Sequence, residues 1–266
     1  MLGEELRAAP LTAGGLTGDR AYALIDDETG KVISVKRPKR WGRIFEISAT
    51  TRPDGVHVQL PDAEALSIDD PALADRLSDF FGRRVSVASV VPENASFEEA
   101  WVRELKNDVN PYFDLPARTE DGDEIIDAGQ FMSSQDNFFN FGAIHIVTTG
   151  TTRRLTELAP ASRFDAHRFR PNIVVETDDE GFVETGWQGR AVTIGDVRFA
   201  VSFTVPRCVM TTLEQGDLPA DPDVLRTISK YNSVDIGWGH SYPCVGVYAD
   251  VVAGGDIEIG QPVSVE

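Results

Sequence analysis

The chain has 266 residues, 41% of them hydrophobic and 26% charged, and a formal net charge of −18. That length and composition suit a soluble globular protein with one large domain or two small ones. The negative field repels nucleic acid and anionic membrane, and no apolar run reaches the length of a bilayer span, so neither partner is expected. No signal-peptide pattern opens the sequence, and the two cysteines lack the spacing of a disulfide scaffold or a zinc ribbon. A cytoplasmic protein is the expectation.

The predicted elements run as follows. Gly14-Gly15-Leu16-Thr17-Gly18-Asp19-Arg20 is a glycine-punctuated turn feeding a strand over Ala21–Asp26. Asp26-Asp27-Glu28-Thr29-Gly30 turns that strand into Lys31–Val35, which makes a hairpin. Ile44–Thr50 and Val56–Leu60 read as strands around a Pro53-Asp54-Gly55 turn. Asp70 and Pro71 suit the start of a helix whose apolar face is Leu73, Leu77 and Phe80, closed by Gly82. Arg83–Val90 returns to a strand. Residues 91–137 are acidic and irregular, and read as a solvated surface connection more readily than as a lid.

Ala143–Thr149 is a strand leading to a helix over Thr151–Leu158. In Arg168-Phe169-Arg170-Pro171-Asn172, Pro171 favours extended geometry at Arg170. Arg168 and Arg170 would then share one face, either as an anion socket or as two salt bridges. Val192–Gly195 and Val197–Val201 form a hairpin that runs into Arg207-Cys208-Val209-Met210-Thr211-Thr212. Asp221-Pro222 opens a helix, and Val245–Val252 and Ile257–Val265 are the final strands. Short strands at regular spacing with a few short helices predict a mainly β (α+β) fold, a β-barrel with helical decoration. The predicted boundaries are 1–90, a connection over 91–137, and 138–266.

Cys208 has two readings at this stage. It is a small buried apolar residue, or a thiol whose pKa is lowered by the adjacent Arg207 so that the thiolate binds metal or attacks electrophiles. The local motifs for nucleotide binding, zinc hydrolysis and serine hydrolysis are absent. His57, His145, His167 and His240 are scattered, and His145, mid-strand, reads as a core residue or a support behind a site rather than as a ligand.

Taken together, Gly18-Asp19-Arg20 with its strand, Arg168-Phe169-Arg170-Pro171-Asn172, Trp187 with Ile194-Gly195, Arg207-Cys208-Val209-Met210-Thr211-Thr212 and Ile259-Gly260-Gln261-Pro262-Val263 resemble MOSC-domain proteins that carry an N-terminal β-barrel domain. That family includes the amidoxime-reducing component and the C-terminal domain of molybdenum cofactor sulfurase. The resemblance implies a molybdenum cofactor (Mo-molybdopterin), with Cys208 as catalytic residue and thiolate ligand to the metal. It implies cofactor contacts from Arg20, Asn140, Arg170, Asn172, Arg207 and Tyr248. It also carries a family association with pyridoxal phosphate binding.

The implied activity is reduction of small N-hydroxylated or related N–O compounds. No ferredoxin-like cysteine cluster is present, so electrons would come from a separate donor protein. The alternative is a cofactor or sulfur carrier with a persulfide on Cys208. Two departures stand out. The Tyr-Pro-Val-Lys-Ser-type strand that the resemblance places before Met1 does not appear, so a further upstream strand is expected in the gene. The second cysteine that many relatives carry before Arg-Cys is replaced here by Thr204-Val205-Pro206.

Overall fold

The computed structural model describes residues 1–101, 117–128, 137–237 and 239–266. The fold is mainly β. Its largest sheet has seven strands, in the order Ile173–Val175, Ile144–Thr148, Ser241–Ala253, Val197–Pro206, Ala191–Ile194 and Val263–Val265, with Ser233–Asp235 pairing beside Ser241–Ala253. Only Ile173–Val175 and Ile144–Thr148 are parallel. A parallel neighbour needs a crossover, and the helix Thr149–Leu158 supplies it. Thr148 caps that helix, accepting from the Thr151 amide at 3.2 Å.

Alternation along Val197–Val201 turns Val197, Phe199 and Val201 inward. With Ile144, Ile146, Val192, Ile194, Trp187, Val247 and Ala249 they fill a nearly closed barrel. The strand Ala8–Thr12 adds Leu11 to this core and pairs antiparallel with Gly255–Glu258. The predicted run Ile257–Val265 is thereby divided. Its first part pairs with Ala8–Thr12 and its second, Val263–Val265, returns to the barrel.

The first part of the chain has its own core. Ala23–Asp26 pairs with Lys31–Val32 as predicted, and also with Val85–Ala88. Ser48–Arg52, Gly55–Gln59 and Leu66–Ser67 form a second small sheet. The helix Leu73–Phe81 packs Leu73 and Leu77 between them, and Gly82 ends it at φ 63°, a conformation that favours glycine. Two expectations fail here. Gly42–Glu46 is a 3-10 turn rather than a strand, because burying Trp41, Ile44 and Phe45 together needs a helical turn, not alternation.

The acidic stretch also departs from an irregular, solvated connection. Glu98–Trp101, Ala117–Glu120 and Asp123–Asp127 form a three-stranded sheet, and the strand at 98 lies beside Lys31–Lys36. Glu98 and Glu99 are buried because cations meet them: Arg37 reaches Glu98 at 2.5 Å and Lys36 reaches Glu99 at 2.8 Å. Burial alone would raise the Glu98 carboxyl, but hydrogen bonds from Arg37 and Arg118 reverse that and hold it at about 2. A charge run is solvated only where no opposite charge is folded onto it.

Candidate functional site

The long barrel strand ends at Pro206 and delivers Arg207 and Cys208 to the seam with the N-terminal core. Cys208 has extended backbone and precedes the 3-10 turn Val209–Thr212. The two threonines explain the turn. Thr211 donates its hydroxyl to the Cys208 carbonyl at 3.0 Å, and Thr212 donates to the Val209 carbonyl at 2.8 Å. Met210 and Leu213 then pack against the N-terminal core, fixing the thiol between the two halves.

Around this turn gather residues from distant parts of the chain. Arg207 is buried. Its amide donates to the Pro243 carbonyl at 2.7 Å and its Nη2 to the Phe169 carbonyl at 2.8 Å, while its Nε has no acceptor among the described residues. An unsatisfied buried donor costs about 1–3 kcal/mol, so this atom calls for an acceptor from a ligand. Arg170 stands at φ 54° and donates to the Met1 carbonyl at 2.7 Å. Burial, together with repulsion from Arg20 and Arg207, brings the Arg170 guanidinium down to about 10 despite Asp19 nearby. Arg20, also left-handed at φ 49°, pairs with Asp19 at 2.5 Å and lies over the Phe139 ring.

Asn172 has both ends of its amide engaged. Its Oδ1 accepts from the His145 backbone N–H at 3.0 Å and its Nδ2 donates to Asp19 at 2.7 Å. Tyr248 donates its hydroxyl to the backbone carbonyl of Asn140 at 3.3 Å. Burial raises the Tyr248 hydroxyl, opposed by Arg207, Arg20 and Lys36. His145 is a core residue, as predicted; burial and then Arg207 hold its imidazole well below the ordinary value, hence neutral.

The structure therefore brings Cys208, Arg20, Arg170, Arg207, Asn172 and Tyr248 into one neighbourhood, with Asn140 joined through its backbone. Arg168 is not part of it. Ala166–Phe169 is a 3-10 turn capped by Asp165, not extended chain, so Arg168 and Arg170 do not share a face. Arg168 is fully buried and donates to the carbonyls of Arg163, Thr211, Leu213 and Pro219. It braces the Cys208 turn from behind.

The acidity argument for Cys208 is also corrected. Burial is the largest influence and raises the half-buried thiol above its ordinary value. The strongest opposing charge is Lys36, not Arg207, whose guanidinium turns toward Phe169. Lys36 and its buried partner Glu99 went unrecognised in the sequence. The available signal was a Lys36-Arg37 pair in a lysine-poor, acidic chain. Cys244 is fully buried, and burial raises its thiol to about 11, consistent with a structural residue. Among the described residues, no group of three His, Cys, Asp or Glu side chains gathers as a metal ligand set.

Residues 134–264 match the family model of the MOSC domain. This stretch of the chain is a MOSC domain. The domain holds Cys208, Arg170, Asn172, Arg207 and Tyr248, while Arg20 and Lys36 come from before it. The chain is similar to mitochondrial amidoxime reducing component 2 of Bos taurus, 34% identical over 36% of this chain and 29% of that protein. It is also similar to the Rattus norvegicus protein of the same name, 35% identical over 36% of this chain and 28% of that protein. The matched stretch thus spans under a third of those relatives. Among solved structures, YiiM from Geobacillus stearothermophilus aligns at 20% identity and TM-score 0.33, covering 47% of this chain and 54% of its own. The YuaD protein from Bacillus subtilis aligns at 15% identity and TM-score 0.34, covering 50% and 69%.

Proposed function

We propose that this MOSC protein binds a molybdenum cofactor and reduces small N-hydroxylated or related N–O compounds. The observation that carries the reading is the cation cluster beside a thiol: Arg20, Arg170 and Arg207 crowd one another, and Arg207 Nε is buried without an acceptor among the described residues. Such a cluster in a chain of net charge −18 is stable when an anion completes it, and a pterin phosphate has that chemistry. The donor set fits as well. A single soft thiolate, Cys208, suits a molybdenum whose other ligands come from the pterin.

Bound, the cofactor would supply the two-electron couple for R–NHOH + 2e⁻ + 2H⁺ → R–NH₂ + H₂O, with electrons drawn from a separate donor protein. The chain's own residues do the rest. Arg20, Arg170 and Arg207 would hold the phosphate, Asn172 would keep Asp19 and the His145 strand in register, and Cys208 would hold the metal. Tyr248, with its hydroxyl on the Asn140 carbonyl, would wall the site. The reading sets the reaction in the cytoplasm, where the free thiols Cys208 and Cys244 stay reduced.

The test is to purify the full chain with molybdenum available, measure bound metal, and assay N-hydroxy substrate reduction with an artificial donor. Metal and turnover are expected. Metal without turnover would leave a cofactor carrier, and sulfur on Cys208 without metal would leave a sulfur carrier; either result overturns the reductase reading.

A further inference from the structure

We infer that Phe141 and Phe203 are specificity-determining residues which, with Tyr248, make the site prefer flat conjugated substrates over aliphatic ones. The inference deepens the reading given above and rests on it for the location of the reacting centre.

Phe141 has φ 84°, in the left-handed region that bulky side chains avoid. Such a conformation persists where its surroundings over-determine it, and it clusters at functional sites. Here Tyr248 does the determining. Its hydroxyl takes the Asn140 carbonyl on one side of Phe141, and on the other side Gly142 lies flat against its ring. A Cβ at Gly142 would stand 2.6 Å from Tyr248 Cδ1, so only glycine lets the chain pass there. The outcome of this strained passage is that the Phe141 ring meets Phe203 edge-on, with centroids 6.4 Å apart and planes at 90°.

Phe203 is brought there by a second irregularity. Continued alternation from Phe199 and Val201 would turn Phe203 into the barrel. The register against Ser241–Ala253 breaks between Val201 and Thr204, and Ser202 donates to the Tyr248 carbonyl at 3.1 Å inside that break. Thr204 and Val205 take the buried places, and Phe203 swings out to 5.3 Å from the Tyr248 ring.

Two backbone irregularities, one in the loop before Ile144–Thr148 and one on the strand Val197–Pro206, thus converge on one aromatic wall. All three rings are half-buried, where the core side chains of the barrel are buried. Tyr248 stands opposite His145 in the sheet with ring centroids 5.8 Å apart, and the His145 amide donates to Asn172 at 3.0 Å, which puts the wall beside the arginine cluster. A flat conjugated ligand gains ring contacts on such a wall that an aliphatic ligand of the same polarity does not.

The test measures binding of benzamidoxime and acetamidoxime to the full chain by calorimetry, without electron donor, in the wild type and in Phe141→Leu, Phe203→Leu and Phe141→Tyr. The wild type should bind benzamidoxime more tightly than acetamidoxime. Each leucine variant should weaken benzamidoxime binding by roughly three- to tenfold and leave acetamidoxime within about twofold, while Phe141→Tyr keeps the preference. Equal losses for both ligands, no wild-type preference, or unchanged benzamidoxime affinity in both leucine variants would overturn the inference. Molybdenum content is measured on the same samples. Selectivity without metal would sink the reductase reading and keep the wall; metal and turnover without selectivity would do the reverse.

Discussion

The side-chain amide of Asn172 meets the carboxylate of Asp19 at 2.7 Å across 153 positions of sequence. The same carboxylate oxygen takes Arg20 at 2.5 Å, and the other end of the amide takes the His145 backbone at 3.0 Å. One asparagine therefore ties the N-terminal turn, the arginine cluster and a barrel strand together. Asn172→Ala should cost about 1–3 kcal/mol in urea unfolding, because the part-buried His145 N–H loses its acceptor and the Asp19 carboxylate keeps only Arg20 of these two donors. Its bound molybdenum should fall in elemental analysis, since Arg20 loses its fixed anchor.

Cys208→Ala should leave the fold intact and remove most of the molybdenum. Cys244→Ala should do the opposite. Its side chain is fully buried, so losing it should cost on the order of 1 kcal/mol, with metal retained. Elemental analysis beside thermal unfolding separates the two cysteines; equal metal loss in both variants would contradict the assignment.

Two arginines two positions apart should behave in contrary ways. Arg168→Met strips donors from four carbonyls and should cost on the order of 3 kcal/mol. Arg170→Gln removes a partly buried charge that Arg20 and Arg207 repel, so stability should hold or rise by up to about 1 kcal/mol while metal content falls. Denaturant titration and metal analysis of both variants check this. A large stability loss in Arg170→Gln would show the cluster to be purely structural.

Glu98 sets an acid limit. Its carboxyl titrates near 2 in the folded protein against 4.5 for an unperturbed glutamate, so the folded state binds the proton less readily than the unfolded chain. The stabilisation is complete above pH 4.5 and is lost as the pH falls toward 2. Thermal unfolding across that window should show a falling midpoint. Glu98→Gln should flatten the slope and lower stability at neutral pH, where Arg37 is left buried with a weaker partner.

Much of this was legible in the sequence because local rules governed it. Asp70, Pro71 and Gly82 bracket a helix whose apolar residues recur at helical spacing, and it forms over Leu73–Phe81. Alternation from Val197 to Val201 marks a strand, and it is one. The motif Arg207-Cys208 pointed to the region where the arginines gather.

The misreadings share a cause: the deciding partner lay far away in sequence. Arg168 reads like Arg170 until the carbonyls of residues 211–219 are folded around it. Glu98 and Glu99 read as solvent-facing until Lys36, Arg37 and Arg118 are placed against them. The acidity of Cys208 was assigned to its neighbour in the chain, whereas its strongest cationic neighbour is Lys36. Phe141 carried no local sign of its strain, because Tyr248 imposes it.

The pairing of Ala8–Thr12 with Gly255–Glu258 has a consequence for biogenesis. That small sheet joins segments from opposite ends of the described fold, and the Arg170 bond to Met1 likewise spans 169 positions. Contacts of such long sequence separation form late. The anion socket is therefore among the last parts of the molecule to order, and whatever fills it enters a chain that is already largely folded.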